Sequence, residues 1–243
     1  QTARAAENFQ ITGINIHSEL VKKLAVVKKA AAKVNRDVGI LDSEIAEAII
    51  QAAEEVAEGS LLDEFIVDAV QGGAGTSINM NMNEVLANRA LEILGDEKAN
   101  YDRVHPNNHV NMGQSTNDVI PTAVRMTMIK LLGETLTELE KFKDALMEKS
   151  EEFDDVIKMG RTQLQDAVPI RLGQEFKAYA DSVKRDIRRI GESVDDLRVI
   201  NLGATAVGTG LNADLNYVKN VTEELSKVSG IDLKQADDLV DAT

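Results

Sequence analysis

Two uninterrupted amphipathic stretches constrain this chain most, one from about residue 118 to 153 and one from about 172 to 200. In the first, Val124, Met128, Leu131, Leu132, Leu136, Leu139, Phe142 and Leu146 recur at helical spacing. In the second, Phe176, Ala180, Val183, Ile187, Ile190, Val194 and Leu197 do the same, and Tyr179 can join that face. At ~1.5 Å per residue the first helix is roughly 50 Å long. Helices of that length belong to bundles or coiled coils. A two-helix hairpin cannot cover its own apolar stripe. The stripe therefore predicts a homo-oligomer that buries its seams against other copies. Aromatic residues make up 3% of the chain and tryptophan is absent, which fits a rod-like bundle.

The remaining periodic segments are also helical. Leu20, Leu24, Val27 and Ala31 mark a helix from about Ser18 to Val38, with Gly39 as a stop. Asp42 or Ser43 can cap a helix carrying Ile45, Ile49, Ala53 and Val56, ended by Gly59. Val85, Ala87, Leu91 and Leu94 pack a helix from Ile78 to Leu94, and a last helix covers roughly Tyr217 to Val228. Phe65-Ile66-Val67 suits strand or helix equally. Tyr101 to Gly113 reads as a polar loop, and Asn201 to Asn212 as a Gly- and Thr-rich loop that is either a flexible turn or a site lining.

The net charge of −14 and pI near 4.7 disfavour nucleic acid and anionic membranes as partners. They permit an anionic small molecule, because a global charge is screened at ~0.15 M salt while local donors are not. There is no cysteine, hence no disulfide and no thiolate metal site, which suits a reducing compartment such as the cytoplasm. His17, His105 and His109 leave little for a metal centre, and Pro106 stands between the last two. No apolar run reaches membrane-span length and no signal peptide is visible. Residue 1 is Gln and the chain stops at Asp241-Ala242-Thr243, so both ends read as interior to a longer polypeptide.

Three clusters of hydrogen-bond donors stand beside helices. Gly72-Gly73-Ala74-Gly75-Thr76-Ser77 precedes one. Gly113-Gln114-Ser115-Thr116-Asn117-Asp118 precedes the first long one, with Pro121 in its first turns. Gly160-Arg161-Thr162-Gln163-Leu164-Gln165 lies ahead of the second. Ser, Thr and Asn are good helix caps, and a helix N-terminus with exposed N–H groups and hydroxyls is also an anion site. None of the three has a phosphate-loop lysine or a dinucleotide-binding spacing. Three such clusters converging on one cavity would suit a small dicarboxylate better than a nucleotide.

These residues resemble the aspartase/fumarase superfamily along essentially the whole chain, and within it the aspartate ammonia-lyase branch. The resemblance covers Gln71 to Ser77, Asn81, Asn83, Glu84, Asn88, Arg89, His105-Pro106-Asn107, Val110-Asn111, Gln114 to Asp118, Gly160 to Pro169, Leu172 to Phe176, and Gly208 to Asn212. It implies an all-α fold, with an N-terminal helical domain over residues 1–117 and the first part of a central long-helix bundle domain over 118–243. It implies a homotetramer whose active sites form where three subunits meet. It implies cofactor-free, reversible deamination of L-aspartate to fumarate and ammonia through an enediolate-like dianion. Thr76, Ser115 and Thr116 would hold the β-carboxylate. Asn117 and Gln163 would contact the amino group, and Thr162 the α-carboxylate. The family's mobile Gly-Ser-Ser loop, which supplies the serine base, is absent, so no catalytic base is expected in this chain. Gln163 stands where many relatives, including hydratases, carry His; an amide can bind an amine but cannot shuttle a proton near neutral pH. Fumarate hydratase is the alternative enzyme, and a non-catalytic helical assembly the alternative of another class.

Overall fold

The computed structural model describes residues 1–243. Its main elements are helices: α1 (Thr2–Asn8), α2 (Ser18–Asp37), α3 (Ser43–Ala57), α4 (Thr76–Ile93), α5 (Thr116–Glu152), α6 (Leu172–Leu197) and α7 (Leu215–Ser229). Strands β1 (Ile157–Thr162) and β2 (Gln165–Arg171) form an antiparallel pair. The two-residue strands β3 (Val199–Ile200) and β4 (Lys234–Gln235) pair in parallel. The expected all-α class is what the chain adopts, with these strands as minor additions.

Local chemistry sets the helix ends. The Asp42 carboxylate accepts the N–H groups of Glu44 and Ile45 at 2.9 and 3.2 Å and starts α3. Asp214 starts α7 in the same way, accepting from Asn216 at 2.7 Å. His17 starts α2 by accepting the Glu19 N–H at 3.2 Å. His105 and His109 are likewise structural: His105 accepts from Asn107 and Asn108, and His109 accepts from the His105 N–H. The polar loop from Tyr101 is therefore ordered around a π-helical turn at Pro106–Val110.

The chain divides into two compact units. The first comprises Gln1–Thr127 and Arg198–Thr243. Here α2 packs on α3 and α7, and α3 packs on α4. Leu24, Val27, Ile49, Val56, Met82, Leu86, Leu91, Val221 and Leu225 are fully buried. So are Ala25, Ala30, Ala31, Ala46, Ala53, Ala87 and Ala90, whose small side chains let the helices approach and pack densely. Arg89 on α4 grips both oxygens of Glu55 on α3 at 2.6 and 3.0 Å. Lys33 on α2 pairs with Glu224 on α7 at 2.5 Å. Phe65 and Val67 are buried in irregular chain, neither strand nor helix.

The second unit, Met128–Leu197, holds the later turns of α5, the β1–β2 hairpin and α6. Helix α5 has 37 residues and so runs ~55 Å. Only Ser150, Gly173 and Ala180 are buried in this unit. The apolar stripe that the sequence marks for packing is left open: Phe142 is 53% exposed, and Leu131, Leu136 and Leu146 are half-buried. Phe153, Phe176 and Tyr179 form a small aromatic cluster, with ring centroids 5.5 and 6.2 Å apart in sequence order.

The segment Gly160 to Pro169, read from sequence as a donor cluster ahead of a helix starting near Leu172, does precede α6 at Leu172 and is itself part of a β-hairpin. Its turn residues Gln163 and Leu164 have φ of +47° and +63°, the shape of a tight hairpin turn but without the Asn-Gly signature that would reveal it. The second long helix ends at Leu197 rather than near Ile200, because Val199 and Ile200 leave the helix to pair with Lys234 and Gln235.

Gly173 fixes how α6 starts. A Cβ there would lie 2.3 Å from the Ser150 carbonyl oxygen and 2.9 Å from Asp154 Cα, both backbone atoms. Ser150 Oγ also donates to the Gly173 carbonyl at 2.8 Å. Gly173→Ala should destabilise the protein by about 1–3 kcal/mol through overpacking. A lowered midpoint in guanidinium unfolding checks this; an unchanged midpoint contradicts the close approach.

Candidate active site

The structure gathers four of the six sequence-selected residues in the first unit. Helix α5 opens with a capping box. Ser115 is its N-cap, and Ser115 Oγ accepts the Asn117 N–H at 3.3 Å. Asp118 reaches back to accept the Ser115 N–H at 2.9 Å. Thr116 Oγ1 accepts from Asn79 Nδ2 at 3.3 Å. Asn117 Nδ2 donates to the Ala206 carbonyl at 2.7 Å, which leaves Oδ1 as its outward end. The start of α4 lies alongside. A Cβ on Gly75 would meet Ile120 of α5 at 3.0 Å, so the glycine allows the Thr76 loop to approach α5. Thr76 opens onto a groove shared with Arg4, Met80, Glu84 and His105. Gln71 clasps the glycine loop, donating to the Asp68 carbonyl at 2.7 Å and accepting the Ile78 N–H at 3.0 Å.

The chemical consequence is directional. A hydroxyl has one proton and two lone pairs. Internal donors occupy a lone pair on both Ser115 and Thr116, so each O–H proton is free to point away from the fold. Two outward hydroxyl donors at a helix N-terminus make a site for an anion. The outward Asn117 carbonyl oxygen is an acceptor and suits an ammonium.

Thr162 and Gln163 are elsewhere. They belong to the second unit, exposed at the end of β1 and in the hairpin turn. Arg161 pairs with Asp166 across that hairpin at 3.6 Å.

Beneath the Ser115–Asn117 strip lies a buried polar layer that sequence reasoning did not assign to the site. Lys28 of α2 is fully buried, and its Nζ donates to Asn111 Oδ1 at 2.8 Å and Gln114 Oε1 at 3.0 Å. Asn79 and Asn83 also donate to Asn111 Oδ1, at 3.2 and 3.3 Å. Asp118 is buried too, and its Oδ2 accepts the N–H groups of Thr205 and Gly203 at 3.1 and 3.2 Å. The first half of the Gly- and Thr-rich loop is thus packed, with Asn201 to Thr205 all buried, while Val207 and Leu211 in its second half are exposed. Burial pushes the Asp118 carboxyl up to about 6, against the Ser115, Thr205 and Gly203 N–H groups and the Lys28 charge. Burial lowers the Lys28 amine to about 7, opposed by the charge of Asp118. Burial, and then Asp118, raise the buried Tyr217 phenol well above its ordinary value. One signal for Lys28 was available in the sequence. It shares the apolar face of α2 with Leu24 and Ala31, where a solvated lysine does not belong.

A family model described as lyase matches residues 1–243. The chain belongs to that lyase family. It is 58% identical over 243 residues to an aspartate ammonia-lyase of a Bacillus species, covering 100% of this chain and 52% of that one. It is 49% identical over 244 residues to a class II fumarate hydratase of Halobacterium salinarum, again with 100% and 52% coverage. The crystal structure of a Brucella melitensis fumarate lyase:delta crystallin bound to cobalt superposes with a TM-score of 0.94 at 48% identity, covering 99% of this chain and 53% of that one. The chain therefore spans about half the length of the relatives it matches. The superfamily resemblance read from the motifs and the all-α lyase fold agree with these findings.

The buried amine sets a pH dependence. Below about pH 7 the folded and unfolded states both hold the Lys28 proton. From there to its unfolded value of ~10.4 the unfolded state binds more protons, so stability rises with pH across that window. Lys28→Met removes this titration. Wild type should therefore gain roughly 2–3 kcal/mol on the variant between pH 7 and 9.5. Paired guanidinium unfolding curves at the two pH values check it, and a constant gap would show that Lys28 keeps its proton on burial.

Proposed function

We propose that this chain supplies the dicarboxylate-binding part of an aspartate ammonia-lyase, which interconverts L-aspartate with fumarate and ammonia. The observation that carries the reading is the pair of half-buried hydroxyls at the start of α5, Ser115 and Thr116, each of which accepts an internal donor and keeps its own proton to give. In this reading a base takes the Cβ proton next to the β-carboxylate. Negative charge then develops on that carboxylate, and the amine leaves from Cα. Thr76, Ser115 and Thr116 donate to the carboxylate as its charge grows, which is where preorganised donors accelerate most. Asn117 Oδ1 and Gln163 receive the ammonium, and Thr162 holds the α-carboxylate. The proton-abstracting serine comes from sequence outside this chain, and no cofactor takes part.

Four copies assemble through the open stripes of α5 and α6, which a single second unit leaves uncovered. In that tetramer the division falls at residues 117 and 118, an N-terminal domain followed by a bundle domain. Thr162 and Gln163 of one copy complete the site of another. No helix is long and apolar enough to cross a membrane. We place the enzyme in the cytoplasm, where a chain without cysteine is at no disadvantage.

The test uses the longest natural polypeptide that contains this chain. Incubated with L-aspartate, it should raise the ultraviolet absorbance of fumarate. Conversion of malate instead, with aspartate untouched, would assign it to the hydratases. Thr116→Val should lower kcat/KM by roughly 10²-fold and leave the thermal midpoint within a few degrees. Loss of the folded state in that variant would make the hydroxyl a structural cap.

A further inference from the structure

The buried polar layer contains an anomaly. Asn79 Oδ1 and Asn83 Oδ1 are buried acceptors without a hydrogen-bond partner, while the Nδ2 groups of both crowd onto Asn111 Oδ1. Flipping Asn79 would satisfy its oxygen against the Thr116 hydroxyl. An arrangement that strands two acceptors persists only if something fixes the polarity of Asn111. Lys28 supplies the shorter of two bonds that do so, the other being to the Gln114 carbonyl. An amine facing two amide oxygens donates to both, whether or not it is charged. Its 2.8 Å bond is the shortest of the three on Asn111 Oδ1. Asn111 Nδ2 is engaged on the other side by the Gln114 carbonyl at 3.2 Å.

We propose that Lys28 is a positioning residue that sets the direction of a hydrogen-bond chain, Lys28 to Asn111 and Asn79 to both Asn111 and Thr116, and so keeps the Thr116 hydroxyl a donor toward a dicarboxylate. This rests on the reading of Thr116 as a carboxylate contact. Without the Lys28 amine, Asn111 can turn its Nδ2 toward Asn79 at the cost of its one remaining orienting bond, to the Gln114 carbonyl. Two amide donors then face each other, and Asn79 must rotate its oxygen inward. Asn79 Oδ1 now accepts the Thr116 proton, and the outward donor is lost. A lysine that merely filled the core would produce no such reversal, since a methionine of similar volume would serve equally.

The experiment is a double-mutant cycle in the assembled, longest natural polypeptide, read by calorimetric titration with succinate, an unreactive dicarboxylate. Thr116→Val and Lys28→Met should each weaken succinate by about tenfold, the worth of one hydrogen bond to a charged group. The double variant should bind no more weakly than the weaker single one, because both remove the same outward proton. Independent losses that multiply in the double variant, or a Lys28→Met variant with unchanged succinate affinity, would overturn the role of Lys28 alone. Unchanged affinity in Thr116→Val would instead overturn the carboxylate reading, and the Lys28 proposal with it. If Lys28→Met does not fold, Asn111→Leu removes the oxygen that orients Asn79 while leaving the buried amine and Asn79 in place, and is judged against Thr116→Val by the same rule.

Discussion

The first unit depends on one buried carboxylate. Asp118 is the third residue of α5, and its two oxygens join parts of the chain that are far apart in sequence. Oδ1 closes the capping box on Ser115, and Oδ2 accepts the N–H groups of Gly203 and Thr205. The loop after α6 is thereby fastened to the start of α5. Gln235 secures the outside of the same loop by donating to the Leu202 and Val218 carbonyls at 3.1 and 2.9 Å. An ionised carboxylate in this position costs desolvation, and three N–H donors are what make it tolerable. Asp118 thereby anchors the first residue of the donor strip, Ser115, to the loop after α6.

The same layer explains a departure from ordinary core design. Buried amides and a buried lysine are poor contributors to stability, and an apolar filling of equal volume would often do as well. Local rules are broken most where a chain has chemistry to perform. Here the broken rules coincide with the residues below Thr116: Lys28 without exposure, and Asn79 and Asn83 with stranded oxygens. The apolar packing of α2, α3, α4 and α7 surrounds that layer and supplies the stability that the layer lacks.

Much of this was legible from the residues. Helical periodicity placed α2, α3, α4, α5 and α7 nearly to their ends, helped at α3 and α5 by the capping residues Asp42 and Ser115. Ser115, Thr116 and Asn117 stood out not as caps, which such residues ordinarily are, but because the same arrangement of hydroxyls and amides beside a helix recurs at Thr76 and Thr162. The hairpin was not legible, since a turn through Gln163 and Leu164 at positive φ carries no glycine to announce it. Nor was the end of α6, which depends on a two-residue pairing with Lys234 and Gln235 across intervening chain. The Lys28 network was hidden for a different reason. Its members come from α2, α4 and the loop before α5, and spacing along one element cannot show that three elements share an interior. The Gly- and Thr-rich loop had the opposite difficulty: its composition reads as mobile, whereas its backbone N–H groups are what Asp118 holds.

The choice of donors around Thr116 follows from the charge of the proposed reaction. A substrate carboxylate that gains charge during proton removal is best served by groups whose grip tightens with that charge. A lysine or arginine in direct contact would bind the resting dicarboxylate strongly as well, and binding both states equally does not raise the turnover rate. Neutral hydroxyls and helix N–H groups hold the resting carboxylate modestly and respond as charge builds, provided they cannot reorient. Holding them still is a task for the second layer. Lys28 meets it from a fully buried position, through Asn111 and Asn79, without presenting a cation at the surface of the site. The net charge of −14 is compatible with the proposed anionic substrate for the same reason, since the Ser115–Asn117 strip would offer it uncharged donors at short range rather than the screened field of the whole protein.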